Sequence, residues 1–221
     1  MLKDDEFIVI DDAVSPKYQK IIQETLLAAD SGWNFQKDIA VTDEVLEQQK
    51  LVPKFGFSQV LYNQQSGHVG EQYTLILPMV CEAFFKAGLD FQDVIFSRTF
   101  LTTPVVGHHP DDFDHIHVDG PQPHMVCLYY ANDCDGGDTV FFDHSVQDLI
   151  NTSEIGPKDI GDVDQMTILD IINRPFSKDN WEIIRRVTPK KGRCVLFNGT
   201  RYHTSTRCRT GFRLIVNTTV C

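Results

Sequence analysis

The sequence predicts a mainly β protein with flanking helices, an α+β fold. From about residue 93 onward, short runs rich in β-branched and aromatic residues alternate with turn signals such as DCDGGD and PKKG. Strands at this spacing are typical of an all-β sandwich or barrel. Ahead of them, two stretches carry apolar residues at helical spacing. The predicted core strands are DVIFSRTFLTT, HMVCLYYAN, DTVFFD, IIRRVTP, RCVLFNG and FRLIVNTTV.

Residues 1–92 are predicted to support this core with a strand and two helices. FIVIDD, residues 7–12, has the composition of a short strand. Ser15 then suits a helix N-cap and Pro16 the first helical position, and the apolar residues that follow recur at helical spacing. A second helix is predicted in EQYTLILPMVCEAFFKAGL, where Pro78 should kink the helix or mark its start.

The chain of 221 residues is predicted to form a single domain, residues 1–221, with its β-rich core in residues 93–221. Residues 144–186 break the rhythm of strands, and TILDIINRPF within them has helical spacing. We interpret this region as an insertion between strands that would serve as a lid. Together with residues 33–70, it is expected to face the substrate.

The composition argues against two classes of partner. A net charge of −11 disfavours a binder of nucleic acid or of anionic membranes, since phosphate contacts need clusters of lysine and arginine. The first residues do not have the pattern of a signal peptide, and no apolar run approaches the roughly 18 residues of a membrane span. The six scattered cysteines are expected to be reduced thiols. The sequence therefore predicts a cytoplasmic protein without a membrane partner and leaves its oligomeric state open.

The stretch FDHIHVDGP, residues 113–121, is the strongest candidate for a metal site. On a strand, alternate side chains share a face, so His115, His117 and Asp119 would point the same way. Residues i and i+2 lie about 6.5–7 Å apart along a strand and can share an ion, whereas i and i+4, about 13 Å apart, cannot do so without distorting the backbone. The ion would be held either by His115 with His117 or by His117 with Asp119.

Each pair predicts a different site. The pair His115 and His117 resembles a cupin-type metal site, but that pattern needs a glutamate a few residues later, where the chain has VDGPQPH. The pair His117 and Asp119 needs one distant histidine to complete the facial triad of two histidines and one carboxylate that binds non-haem Fe(II). His203, just past a predicted strand and beside the final one, would supply it, and Arg213 follows ten residues later inside that final strand.

A second HxD triplet, His109-Pro110-Asp111, is a weaker candidate. Its central proline donates no hydrogen bond to a sheet, so the triplet suits a loop better than a strand.

In this combination the sequence resembles the 2-oxoglutarate/Fe(II)-dependent dioxygenase superfamily, and within it the prolyl 4-hydroxylase-like branch. The resemblance implies a core with the fold of a double-stranded β-helix, or jelly roll, with helices packed on one face. Five elements carry it in order: HVDGP, CLYYAN, GGDTVFF, PKKGRCVLFNG, and the stretch from His203 to GFRLIVN.

The resemblance also implies the roles of the site residues. Arg213 would hold the distal carboxylate of 2-oxoglutarate. Tyr130 matches a tyrosine that hydrogen-bonds the cosubstrate, and Thr139 stands where the family places a side chain of the cosubstrate pocket, with core packing as the alternative for both. The implied metal ligands are His117, Asp119 and His203.

The reaction implied by the resemblance hydroxylates an aliphatic C–H group. It would use Fe(II), O₂ and 2-oxoglutarate, release succinate and CO₂, and take ascorbate as a supporting reductant. The expected substrate is a small molecule, an amino acid or a peptide, with a prolyl or other amino-acid residue as the first expectation. Two alternatives stay open: a cupin-like metal enzyme that does not use 2-oxoglutarate, and a non-catalytic jelly-roll binding module.

The sequence departs from the family pattern in two places. Gly107 stands ten residues before His117, where the hydroxylase branch often has a cosubstrate tyrosine, and Ile215 replaces the serine of an Arg-x-Ser pair. The spacing of Arg207 and Arg213 is similar to that of AlkB-type nucleic-acid demethylases, but both the short distance from His203 and the net charge of −11 argue against that branch.

Overall fold

The computed structural model describes residues 2–3, 6–37, 55–105, 112–173 and 181–221. The helices are α1 (Pro16–Leu26), α2 (Tyr73–Ala87), α3 (Val146–Thr152) and α4 (Gln165–Asn173), with a 3₁₀ turn at Ile160–Asp162. The strands are β1 (Phe7–Ile10), β2 (Asn34–Gln36), β3 (Gly56–Asn63), β4 (His68–Val69), β5 (Val94–Thr102), β6 (Met125–Tyr130), β7 (Thr139–Ser145), β8 (Ile183–Val187), β9 (Cys194–Asn198), β10 (Arg201–Ser205) and β11 (Arg213–Val220).

The larger sheet is antiparallel and places its strands in the order β1-β9-β6-β11-β5-β3-β2, with β4 beside β3. Its outer face is covered by α1 and α2. Ile22 of α1 and Met79 of α2 are fully buried in one apolar cluster with Leu196 of β9 and Val216 of β11. Burying each such side chain contributes about 1.5–3 kcal/mol, so this layer anchors the two helices to the sheet.

The smaller sheet has the order β10-β7-β8 and faces the inner side of the larger one. Between the sheets lies a second apolar cluster that includes Tyr130, Phe141 and Phe197. Two facing antiparallel sheets with helices on one outer face form the mainly β jelly roll that the sequence predicts, so the fold class is confirmed.

The segment before β6 lies along the free side of β10. His117 and His203 exchange two backbone hydrogen bonds of 2.9 Å, and the amide of Asp114 donates to the carbonyl of Ser205 at 2.9 Å. The predicted strand around the HxD triplet is therefore an extended segment joined to the sheet by an isolated bridge at His117.

The helix ends follow from local sequence. The hydroxyl of Ser15 accepts a hydrogen bond from the amide of Tyr18, and Pro16 occupies the first turn of α1, as predicted. Pro78 lies inside α2 rather than at its start, because the helix begins at Tyr73. Gly88 ends this helix with a φ of +67°, a conformation that costs glycine little. None of the described helices is long and apolar enough to cross a membrane.

The described part of the predicted insertion packs against the outer face of the smaller sheet. Ile150 of α3 and Ile168 of α4 are fully buried in a third cluster, together with Phe142 of β7 and Tyr202 of β10. Ile116 and Val118 pack onto the same cluster. These helices therefore support the sheet from behind rather than cover His117 as a lid; residues 174–180 lie outside the described residues.

Candidate metal and cosubstrate site

The structure brings His117, Asp119 and His203 together at one point between the two sheets. One ligand atom from each residue lies within 4.8 Å of the other two. The imidazole Nε2 of His203 is 3.5 Å from Oδ2 of Asp119, and the two imidazole rings have their centroids 4.6 Å apart. Among the described residues, this is the group of histidine, cysteine and acidic side chains that is close enough to hold one metal ion.

Hydrogen bonds to the backbone orient both imidazoles. Nδ1 of His117 lies 2.9 Å from the carbonyl oxygen of His115, and Nδ1 of His203 lies 2.9 Å from that of Arg201. A carbonyl can only accept, so each Nδ1 carries a proton, which leaves Nε2 as the ring nitrogen that can bind a metal. This is the arrangement in which a histidine is ready to bind a metal.

Burial and charge shift the pKa values of His117 and Asp119 in the directions that metal binding needs. Burial, together with the neighbouring His203, lowers the pKa of His117 to about 3, so its ring is neutral at pH 7. Burial raises the pKa of Asp119, but its charged neighbours, among them the guanidinium of Arg98, outweigh this effect and bring the pKa below its ordinary value. The site thus presents two imidazole nitrogens and one carboxylate, the ligand set that divalent iron accepts.

Aromatic packing fixes the position of His203. The sequence predicted His203 just past a strand, whereas the structure places it inside a further short strand, β10. There it stands opposite Phe141 of β7. Its ring packs edge-on against Phe197 with centroids 5.1 Å apart and lies 5.9 Å from Phe141. The side chain is only 5 % exposed, so the ring has little freedom to turn away from the site.

Two residues that sequence reasoning missed contact Asp119. The side-chain amide of Asn217, on β11, donates to Oδ1 and Oδ2 of Asp119 at 3.2 and 3.3 Å. The guanidinium of Arg98, on β5, has Nη2 at 3.7 Å from Oδ1. Asn217 and Arg98 stand opposite each other in the β5–β11 pair. No local motif marks them, because the pairing of distant strands brings them to the carboxylate.

Arg213, Tyr130 and Thr139 form a second group deeper between the sheets. Nη2 of Arg213 donates to Oγ1 of Thr139 at 3.0 Å, and the hydroxyl of Tyr130 lies 2.6 Å from the same oxygen. The Tyr130 hydroxyl also donates to the carbonyl of Val187 at 3.2 Å. All three side chains are buried, and the guanidinium carbon lies 5.6 Å from the centre of the Tyr130 ring. Burial raises the pKa of Tyr130, so its hydroxyl stays protonated.

The charge of Arg213 is buried without full compensation. Its Nε hydrogen-bonds no described residue although the side chain is only 5 % exposed. An unpaired buried cation is costly, so such a group indicates a place for an anion. Gly137 makes room for it: a β-carbon there would lie 2.9 Å from Cδ of Arg213.

The remaining candidates fall outside the metal cluster. The carbonyl of His115 orients His117, and His115 is not one of the three residues in the cluster of potential ligands. Gly136 and Gly137 have φ values of +75° and +73°, a conformation that costs glycine little. The triplet His109-Pro110-Asp111 and Gly107 lie outside the described residues.

Comparison with known proteins shows the fold. A scan against protein-family models and a search of curated protein sequences find no match. Solved structures do match over nearly the whole chain. One of them is the non-haem α-ketoglutarate-dependent epimerase SnoN from nogalamycin biosynthesis, with a TM-score of 0.58 and 11 % sequence identity. The match covers 98 % of this chain and 78 % of the SnoN chain.

Two prolyl hydroxylases are also similar. One is from Pseudomonas putida, with a TM-score of 0.51 and 12 % identity over 97 % of this chain and 91 % of the other. The second, from Trichoplax adhaerens, was solved with a peptide of hypoxia inducible factor; its TM-score is 0.53 and its identity 11 %, over 97 % of this chain and 82 % of the other. The chain therefore has the fold of 2-oxoglutarate/Fe(II)-dependent oxygenases, as the sequence resemblance predicts.

Proposed function

We propose that this protein is an Fe(II)- and 2-oxoglutarate-dependent dioxygenase. The observation that carries the proposal is the coexistence of two sites between the same sheets. His117, Asp119 and His203 converge with metal-binding geometry, and the buried cation Arg213 lies beside Tyr130 and Thr139 without a full set of partners.

The donor set fits Fe(II). Two imidazoles and one carboxylate on one side of an ion leave its remaining positions open for cosubstrate and O₂. When bound, the metal with 2-oxoglutarate and O₂ supplies the oxidising chemistry, in which the keto acid is decarboxylated to succinate and CO₂ and an aliphatic C–H becomes C–OH. Ascorbate would serve only to keep the metal divalent.

Arg213 fits the distal carboxylate of 2-oxoglutarate. A guanidinium is permanently charged and pairs with a carboxylate through two parallel hydrogen bonds. Oγ1 of Thr139 already accepts a hydrogen bond from Nη2 and so orients the guanidinium of Arg213. Tyr130 keeps its proton, which it donates to the carbonyl of Val187 here and would turn to an oxygen of the bound cosubstrate. The three residues bind and orient the cosubstrate, while the apolar surround of Phe141 and Phe197 excludes water from the metal side.

The substrate of the proposed reaction is a small molecule, an amino acid or a peptide. The Trichoplax relative in fold was solved with a peptide fragment, and SnoN was solved with iron, α-ketoglutarate and nogalamycin RO. Both kinds of ligand are therefore compatible with this fold. The net charge of −11 continues to disfavour nucleic acid.

The experiment that tests the proposal measures succinate formed from 2-oxoglutarate with Fe(II), O₂ and ascorbate. We expect slow succinate release by the wild-type protein even without substrate, and its loss in Asp119→Ala and His203→Ala. His68→Ala, on the exposed strand β4, is the matched control and should retain the activity. Absence of succinate from an iron-loaded, folded wild-type protein would remove the proposal and leave the non-catalytic binding module.

A further inference from the structure

We propose that Arg98 binds a carboxylate of the substrate, and that the substrate is a carboxylate-bearing molecule with an apolar body. This inference rests on the proposed function and deepens it. It begins from a guanidinium that stands beside the metal ligands but outside the pocket assigned to 2-oxoglutarate: Nη2 of Arg98 is 3.7 Å from Asp119, whereas Arg213 is joined to Thr139 and Tyr130.

Arg98 is placed to meet a ligand rather than to complete the metal site. Asn217 already donates to both oxygens of Asp119, at shorter distances than the 3.7 Å contact of Arg98. The side chain of Arg98 is 36 % exposed, whereas that of Asp119 is 3 % exposed. Its Nε is buried and hydrogen-bonds no described residue. The exposed part of the side chain, which does not include the buried Nε, can therefore still donate to a ligand.

Two aromatic rings hold this guanidinium in place. Alternate residues of a strand share a face, so Phe96, Arg98 and Phe100 line the inner face of β5 together. The guanidinium carbon lies 4.7 Å from the centre of the Phe100 ring and 5.5 Å from that of Phe96. Cation–π contacts of this kind orient the plane of the guanidinium without using its hydrogens. The donors of Arg98 are thereby preorganised for a carboxylate.

The charge of the complete site favours an anionic substrate. At the complete site, a divalent metal and the guanidiniums of Arg98 and Arg213 would carry four positive charges, against three negative charges on Asp119 and the two carboxylates of the keto acid. Counting these groups, one positive charge remains, and it is the charge of Arg98. A substrate with one carboxylate would neutralise it, whereas a cationic substrate would meet repulsion at short range.

The surroundings of Arg98 indicate the rest of the substrate. Val60, opposite Arg98 in the β3–β5 pair, is 40 % exposed on the same face, and Phe96 and Phe100 flank the guanidinium. These side chains provide apolar surface on either side of the charge. An amino acid acylated at nitrogen, a branched-chain carboxylic acid or the carboxyl terminus of a peptide has the matching chemistry.

The test uses pairs of probes that differ only in the carboxylate. The protein is loaded with Mn(II) and saturated with N-oxalylglycine, an unreactive analogue of 2-oxoglutarate, so that the keto-acid pocket is filled. N-acetyl-L-proline and N-acetyl-L-prolinamide, and then 4-methylpentanoate and 4-methylpentanamide, are titrated calorimetrically. We expect at least one carboxylate to bind about tenfold or more tightly than its amide, the loss of one charge-assisted contact.

Variants assign this preference to Arg98. In Arg98→Met the preference for the carboxylate should disappear, and in Arg98→Lys, which keeps the charge but not the fork, part of it should remain. Arg185→Met, on the exposed strand β8, is the matched control and should keep the full preference. Binding of N-oxalylglycine to each variant shows that the protein is folded and its cosubstrate pocket intact.

The outcomes separate the two proposals. Equal affinity within every pair, including no binding by either member, or a preference that survives in Arg98→Met, would overturn the role of Arg98 while leaving the dioxygenase proposal standing. Failure of N-oxalylglycine to bind the Mn(II)-loaded wild type would overturn the dioxygenase proposal and the inference about Arg98 with it.

Discussion

At the scale of single residues, Asn217 influences the metal site through its hydrogen bonds to Asp119. Asn217 touches Asp119 and not the metal, so it is a positioning residue. Hydrogen bonds from such neighbours usually change metal affinity by about 10–100-fold. We expect Asn217→Ala to weaken Mn(II) binding by about tenfold in a calorimetric titration. Thr219→Ala, two residues along the same strand, is the control; equal metal affinity in the two variants would contradict the role of Asn217.

Arg213 should determine the affinity for 2-oxoglutarate and not for the metal. Replacing a buried guanidinium that pairs with a carboxylate costs about 2–5 kcal/mol of binding. We therefore expect Arg213→Met to raise the KM for 2-oxoglutarate about 100-fold or more, with Mn(II) affinity close to that of the wild type. Arg209→Met, whose exposed side chain lies 3.7 Å from Asp135, is the matched control. A normal KM in Arg213→Met would mean that another cation holds the keto acid.

At the scale of elements, the turn before β7 shapes the pocket around Arg213. Gly137 and Gly211 both have positive φ, at +73° and +68°. Alanine at either position should cost about 1–2 kcal/mol of stability for the left-handed backbone. Only at Gly137 would the new β-carbon also press on Arg213, at 2.9 Å from Cδ, while at Gly211 it meets nothing within 4 Å.

Gly137→Ala and Gly211→Ala therefore form a matched pair. We expect both variants to lose free energy of unfolding, measured by urea denaturation, and Gly137→Ala to lose more because of its close contacts. The KM for 2-oxoglutarate should rise about tenfold or more in Gly137→Ala alone. If the two variants have the same KM, the pocket does not depend on the close approach of Arg213 to the turn.

An ion-pair cluster joins the end of β1 to the turn between β8 and β9. Asp11 accepts hydrogen bonds from Nε of Arg193 at 2.6 Å and from Nζ of Lys190 at 2.8 Å. These two cations lower the pKa of Asp11 to about 2. Because the folded pKa lies below the unfolded value of 3.8, the contribution to stability is complete above about pH 4 and is lost as the pH falls towards 2.

Asp11→Asn should therefore destabilise the protein most at neutral pH. The carboxylate is 41 % exposed, and solvent screening limits the effect to about 0.5–1 kcal/mol. Urea denaturation at pH 7 and at pH 3 should show a smaller difference from the wild type at the lower pH. A difference that grows with acidity would contradict the assignment of the pKa shift to Arg193 and Lys190.

At the scale of the whole molecule, the sequence predicts the part of the site that depends on short-range order. His117 and Asp119 are two residues apart on an extended segment, so their shared face follows from backbone geometry alone. The glycines of the turn at Gly137 are likewise local. The partners Asn217 and Arg98 depend on which strands pair across the large sheet, and one sequence does not reveal that pairing.

The position of α3 and α4 was the least predictable feature. Helical spacing identifies α4, but it does not say which surface its apolar face covers. The structure places Ile168 behind the smaller sheet with Tyr202 and Val118, because the outer face of that sheet is itself apolar. The sequence did not predict β10 either, because its residues RYHTS are few and mostly polar. They form a strand because they pair with β7, and that pairing is not visible in the local sequence.

The central claim is that His117, Asp119 and His203 hold one metal ion, and an anaerobic calorimetric titration with Fe(II) tests it most directly. We expect one ion per wild-type chain, a loss of affinity of about 100-fold or more in Asp119→Ala, and affinity close to the wild type in His115→Ala. Retention of the metal in Asp119→Ala together with its loss in His115→Ala would contradict the claim and point to the pair His115 and His117 instead.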